Sequence, residues 1–275
     1  MEVKIYPNFL QGLFLTMCLM FLLALSYALE SIPIRLNIVV PAFYVPLAVA
    51  LSSFLYLPII KYALKKSKIN LLDNIRFPNL IVCGMLIILA ISLAILTLPL
   101  VSPVIYARLI LSGQLGFYSF KPLVFDASLI IAYVHRIIIG PAFEEVFFRG
   151  ILLQQFLKKY SPQKAIILSA LIFSFCHLKL YSAIELFVYG IMFGYVFYKT
   201  NSIIASFILH SFGNLILELF RKHYTIQIDD STLLNLFIIL SASVLMLYLF
   251  VKYIDRFQNI RVGNKDKTIN FGADR

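Results

Sequence analysis

Charge is the scarcest thing in this chain. Only 13% of its 275 residues are Asp, Glu, Lys or Arg, where a soluble domain carries about 25%, so there is too little polar surface to solvate a globule of this length. Tryptophan is absent and cysteine occurs three times, as Cys18, Cys83 and Cys176, each inside an apolar stretch. Three scattered thiols make neither a disulfide framework nor a metal-binding spacing, and buried cysteine ordinarily behaves as a small hydrophobe. Cys176 precedes His177, but neighbours on a helix point about 100° apart, so no thiol–imidazole pair is expected. A glycine-rich phosphate loop, an internal repeat, a low-complexity tract and an H-E-x-x-H motif are all missing. Those absences remove the usual nucleotide cradle, the solenoids and the zinc-protease helix.

What remains is apolar: 61% of the residues, with a mean hydropathy of +0.91. This points to an all-α, polytopic transmembrane helix bundle of about eight spans, since each needs roughly 20 residues. The apolar segments fall at 9–29, 36–63, 80–101, 123–142, 163–180, 181–199, 202–220 and 233–252. They form a single integral membrane domain, 1–254, with its core at 123–220, followed by a polar cytoplasmic tail, 255–275. The fourth segment runs on to Tyr160, too long for one straight span, and Gly140-Pro141 supplies a kink because proline removes a backbone donor. Ser26-Tyr27-Ala28 has the small-x-small form of a signal cleavage site, but the preceding apolar run exceeds the ~7–15 residues of a signal peptide, so an uncleaved anchor is preferred.

The formal charge of +11 is mostly topology. Lys61, Lys65, Lys66, Lys68 and Arg76 flank the second loop, Lys158, Lys159 and Lys164 the fourth, and Lys199 the sixth. Glu30, Asp126, Glu218, Asp229 and Asp230 sit in the odd-numbered, cation-poor loops. By the positive-inside rule both termini are cytoplasmic. The cations are spread over loops rather than gathered on one face, so nucleic acid is not a partner, and the apolar spans make the lipid bilayer one. Oligomeric state is not written in the sequence.

Against this apolar background three polar clusters stand out: Glu144-Glu145 with Arg149, Phe173 with His177, and His210 with Asn214. Each ionisable group inside a bilayer costs about 2.5–3.5 kcal/mol on insertion scales, which makes a functional site the default explanation. Glu144 lies 14 residues before Lys158, His177 13 after Lys164, and His210 11 after Lys199. At about 1.5 Å per residue all three lie roughly 16–21 Å from the cytoplasmic cations and can share one layer. Glu145 and Arg149, four apart, form a charge-assisted pair that makes a buried charge tolerable and leaves Glu144 free. Glu144 hydrogen-bonded to His177 can take a proton from water. His210 and Asn214, also four apart, present donors to one point, as an oxyanion requires. The implied chemistry is attack of water on an amide carbonyl.

E-E-x-x-x-R, F-x-x-x-H and H-x-x-x-N, in that order on successive apolar helices, resemble the CPBP (CAAX protease/bacteriocin-processing, Abi) family of intramembrane glutamic proteases, which includes the Ras-converting CAAX endopeptidase. The resemblance extends over residues 144–214. It implies that Glu144 and His177 activate water, that His210 and Asn214 form the oxyanion site, and that Glu145 and Arg149 are structural and substrate-orienting. No cofactor and no metal are implied. Gly190-Ile191-Met192-Phe193-Gly194 is similar to the family's third motif, although a small-residue packing face explains it better. Glu185 reads as interfacial, and Asp126, His135 and Arg136 as packing or channel groups without partners.

Three rival readings remain. One glutamate and two histidines is a zinc ligand set, but here the ligands would come from three helices with no evident second shell. A non-catalytic bacteriocin self-immunity or adaptor protein would be free to lose a motif residue, and none is lost. A transporter predicts an inverted repeat of interrupted helices, which is not detectable. A chain rich in Ile, Leu, Lys and Asn that lacks Trp leans towards a bacterial plasma membrane. A leader peptide, secreted peptide or membrane-protein tail is then the expected substrate, in preference to a prenylated one.

Overall fold

The computed structural model describes residues 5–97, 114–119, 127–178, 182–219, 222–227, 238 and 241–254. Eight helices account for most of them: α1 (Phe9–Glu30), α2 (Tyr44–Ser67), α3 (Leu80–Thr97), α4 (127–157), α5 (Pro162–Cys176), α6 (Ala183–Thr200), α7 (Ile203–Leu219) and α8 (Ser241–Ile254). Among the described residues α1, α2 and α3 are long and apolar enough to cross a membrane, while α5, α7 and α8 are shorter apolar helices. The protein is therefore membrane-embedded and helical.

The helices follow the apolar runs, with differences that have local causes. The second starts at Tyr44 rather than 36, because a single turn Ile32–Arg35 and the left-handed Asn37 (φ 56°) occupy the intervening chain. Asn8 and Gln11 close a reciprocal capping box at the start of α1, and Ser26, Tyr27 and Ala28 lie inside that helix. Asn201, left-handed at φ 49°, ends α6, and the Ser202 hydroxyl accepts from the Ala205 N–H at 3.0 Å to begin α7. One feature departs from an all-helical expectation: β1 (Gln114–Ser119) pairs antiparallel with β2 (Lys222–Gln227), Gln114 opposite Gln227 and Ser119 opposite Lys222. A pairing across more than a hundred residues leaves no short-range signal in a sequence. Asp126 and the tail 255–275 lie outside the described residues.

The core is built around the second half of α4. Phe147, Phe148, Ile151, Leu152, Leu153 and Phe156 are all fully buried, with α5 and α6 packed together beside them and α7 packed on α3. The apolar side chains left exposed on the outer helices, such as Phe14, Phe21 and Ile81, are those a bilayer would cover. The glycine face of α6 behaves as a packing face: a Cβ on Gly190 would lie 3.0 Å from the Ala170 Cα of α5.

The interruption expected at Gly140-Pro141 is a local widening of α4. Residues His135–Ile139 are π-helical, and a second π segment spans Phe148–Leu153. Such bulges absorb one extra residue and re-aim the side chains that follow. Between them lies the turn that carries both glutamates.

Candidate active site

The three polar clusters converge on one cavity of about 430 Å³, lined by Glu144 from α4, His177 at the end of α5, and His210 and Asn214 from α7. His177 caps α5, and Leu178 turns the chain away with φ 51°. A left-handed leucine is uncommon and costs roughly 1–2 kcal/mol, so the abrupt exit is held by its surroundings.

Glu144 Oε2 stands 4.0 Å from His177 Nε2 and 3.9 Å from His210 Nε2. The direct hydrogen bond expected between Glu144 and His177 is therefore replaced by a wider, near-symmetric arrangement, and Oε2 is buried without a hydrogen-bond partner. The opposite ring nitrogens explain why both Nε2 atoms face the carboxylate. His177 Nδ1 donates to the Phe173 carbonyl at 2.7 Å, and His210 Nδ1 donates to Glu145 Oε1 at 2.8 Å. Carbonyl and carboxylate oxygens only accept, so each Nδ1 carries a proton and each Nε2 faces the cavity. Cys176 Sγ also donates to the Phe173 carbonyl, at 3.0 Å, which leaves the thiol 3.5 Å from His177 Nδ1. The two side chains meet after all, because both reach back to the same Phe173 carbonyl.

Behind Glu144 lies the charged pair. Arg149 Nη1 donates to Glu145 Oε1 at 3.0 Å, both side chains are 0% exposed, and Arg149 Nη2 donates to the Gly190 carbonyl at 3.2 Å. The guanidinium carbon sits 4.7 Å from the Phe173 ring centre and 5.1 Å from that of Phe193. Glu145 Oε1 thus takes hydrogen bonds from Arg149 and His210 at once, and His210 is further held by stacking on Phe193 at 4.5 Å. A buried carboxylate with two charge-assisted partners fixes the ring it touches.

Asn214 donates from Nδ2 to the Arg136 backbone carbonyl at 2.8 Å. One of its two N–H bonds is therefore committed to α4, and the other remains for the cavity. His135 and Arg136, read from the sequence as lacking partners, have them: His135 Nε2 is 2.8 Å from the Ser53 hydroxyl, and Arg136 Nη1 donates to both Glu218 carboxylate oxygens at 3.0 Å. Glu185, read as interfacial from its place near the outer end of its helix, is 7% exposed, and it lines the same cavity together with Tyr189. Tyr189 carried no motif and was not singled out; only its place one turn along α6 from Glu185 links it to the site. Among the described residues, no group of three or more His, Cys, Asp or Glu is arranged to hold a metal ion.

No curated protein and no solved structure matches the chain. Residues 126–216, about a third of the sequence, match the family model described as Rce1-like, type II CAAX prenyl endopeptidase. The match encloses all three motifs, and an endopeptidase family implies a peptide or protein substrate. The match supports a CAAX protease/CPBP assignment for the motif-bearing core, residues 126–216.

Proposed function

We propose that this protein is an intramembrane glutamic endopeptidase in which Glu144 and His177 activate water and His210 and Asn214 receive the oxyanion. The observation that carries the reading is the 3.9–4.0 Å separation of Glu144 Oε2 from the Nε2 atoms of two imidazoles. A water about 2.8 Å from each of two acceptors 4.0 Å apart subtends about 90°, close to its own H–O–H angle. Such a water donates to Glu144 and His177 and turns its lone pair outward. It attacks the carbonyl carbon while its proton passes to Glu144; the tetrahedral intermediate then collapses, the C–N bond breaks, and Glu144 returns the proton to the leaving amine. The oxyanion meets the uncommitted N–H of Asn214. His210 Nε2, 3.9 Å from Glu144 Oε2, adds a second donor when that nitrogen carries a proton.

Glu145 and Arg149 hold His210 and the helix packing rather than touching the reacting atoms. The catalysis is metal-free on this reading. The loop cations support an orientation with both termini cytoplasmic, and the composition supports a bacterial plasma membrane with a leader peptide or membrane-protein tail as substrate.

The test uses purified protein in liposomes, given a mixed peptide digest together with a farnesylated peptide ending in a CAAX sequence. Mass spectrometry would find new peptide ends with the native protein, unchanged by strong chelators and absent with Glu144→Ala. Cleavage abolished by chelation and restored by zinc would replace the mechanism with a metal-dependent one. No Glu144-dependent cleavage of any peptide would favour the non-catalytic immunity or adaptor role.

A further inference from the structure

Pro141 lines the cavity, yet nothing in the chemistry above uses it. Its effect is on the main chain one turn earlier. Within the π segment the Gly140 N–H donates to the His135 carbonyl, five residues back. The next bond in that ladder would run from residue 141 to the Arg136 carbonyl, but residue 141 is proline and has no N–H. The only other helical donor within reach of that carbonyl, the Gly140 N–H, is already spent on His135. A part-buried carbonyl left without a backbone donor seeks a partner, and this one takes the Asn214 side chain, which donates to it at 2.8 Å from α7.

We infer that Pro141 is a positioning residue: by withholding a backbone donor it reserves the Arg136 carbonyl for Asn214 and so fixes the direction of that carboxamide in the cavity. The bond also settles which end of the amide is which. Nδ2 must face Arg136, so its second N–H is held at a set angle to the cavity while Oδ1 is turned away from the Arg136 oxygen. Proline in mid-helix normally destabilises, by about 3 kcal/mol. Here the lost hydrogen bond is replaced by one between helices, and α4 and α7 become locked at the level of the site. The inference rests on the reading of Asn214 as an oxyanion donor only for its kinetic consequence; the hydrogen-bond dependence stands apart from it.

Two readouts on the full-length protein in detergent keep those parts separate. The first is the side-chain amide signal of Asn214 in protein labelled with 15N-asparagine, identified by its loss in Asn214→Ser. Pro141→Ala restores an N–H at 141, which competes for the Arg136 carbonyl; the Asn214 amide proton should move to its unbonded position and exchange faster. The second is turnover of the best-cleaved peptide from the digest. Pro141→Ala should lower kcat by roughly 10-fold or more with KM within about twofold, while the melting temperature stays level or rises. In an Asn214→Ala background the same change should have no further effect. Lactic acid at 141 has alanine's side chain but an ester oxygen in place of the N–H, and should restore both the amide signal and kcat. An unchanged Asn214 amide in Pro141→Ala, additive losses in the double variant, or an ester variant no better than alanine would each overturn the inference. If Asn214→Ala itself leaves kcat intact, the oxyanion assignment fails while the amide signal still decides the role of Pro141.

Discussion

Removing Arg149 alone should damage the protein more than removing Arg149 and Glu145 together. Both side chains are 0% exposed and joined at 3.0 Å, so Arg149→Ala strands a carboxylate in an apolar interior. Breaking a buried pair from one side costs about 3–5 kcal/mol. The variant also gives up contacts with the rings of Phe173 and Phe193 and the hydrogen bond to the Gly190 carbonyl, which places it at the upper end of that range. For a chain of this size each kcal/mol lowers the melting temperature by about 2–4 °C, so a fall of roughly 10–20 °C is expected. Glu145→Leu combined with Arg149→Met leaves no charge behind and fills a similar volume, and such replacements are often neutral. The double variant should therefore melt close to the native protein. Its turnover should still fall, because His210 Nδ1 has lost the acceptor that holds the ring at 2.8 Å. Thermal unfolding in detergent, followed by circular dichroism alongside peptide cleavage, reads both quantities. A single variant as stable as the native protein, or a double variant less stable than the single, would refute the reasoning.

Asn214→Ala should lower kcat by roughly 10²–10³ with little change in KM, and Asn214→Asp should be as bad or worse because it offers an acceptor where negative charge develops; steady-state kinetics on folded protein checks both. Gly190→Val should destabilise by about 1–3 kcal/mol, since its Cβ would press to 3.0 Å from the Ala170 Cα, and thermal melting measures it. Cysteine placed at Ser31 of a cysteine-free background should react with an impermeant thiol reagent in intact cells, whereas cysteine at Ser67 should not; the reverse pattern would invert the proposed orientation.

Much of the arrangement was legible in the sequence because in an apolar chain the polar residues carry the information. The eight helices lie within a few residues of the apolar runs wherever these are described, apart from the later start of α2, since run length and flanking Pro or Asn set their ends. The common depth of Glu144, His177 and His210 followed from counting residues to Lys158, Lys164 and Lys199, and the three do line one cavity. The i, i+4 relation gave the Glu145–Arg149 pair, which is fully buried. Contacts between distant segments were not legible. Ser53 with His135, Arg136 with Glu218, and the Glu145 carboxylate shared with His210 all join residues at least 65 apart, and no periodicity reports them. That Glu185 faces the cavity was not legible either, because depth along a helix does not say which way a side chain faces.

Glu144→Gln tests the central claim most directly. The substitution keeps the shape of the side chain but cannot take a proton from water. Glu144 Oε2 has no hydrogen-bond partner to lose and its two histidines stand 3.9–4.0 Å away, so the melting temperature should stay within about 2 °C of the native value. The kcat for the best-cleaved peptide should fall by at least ~10². A folded Glu144→Gln protein that turns over near the native rate would contradict the account.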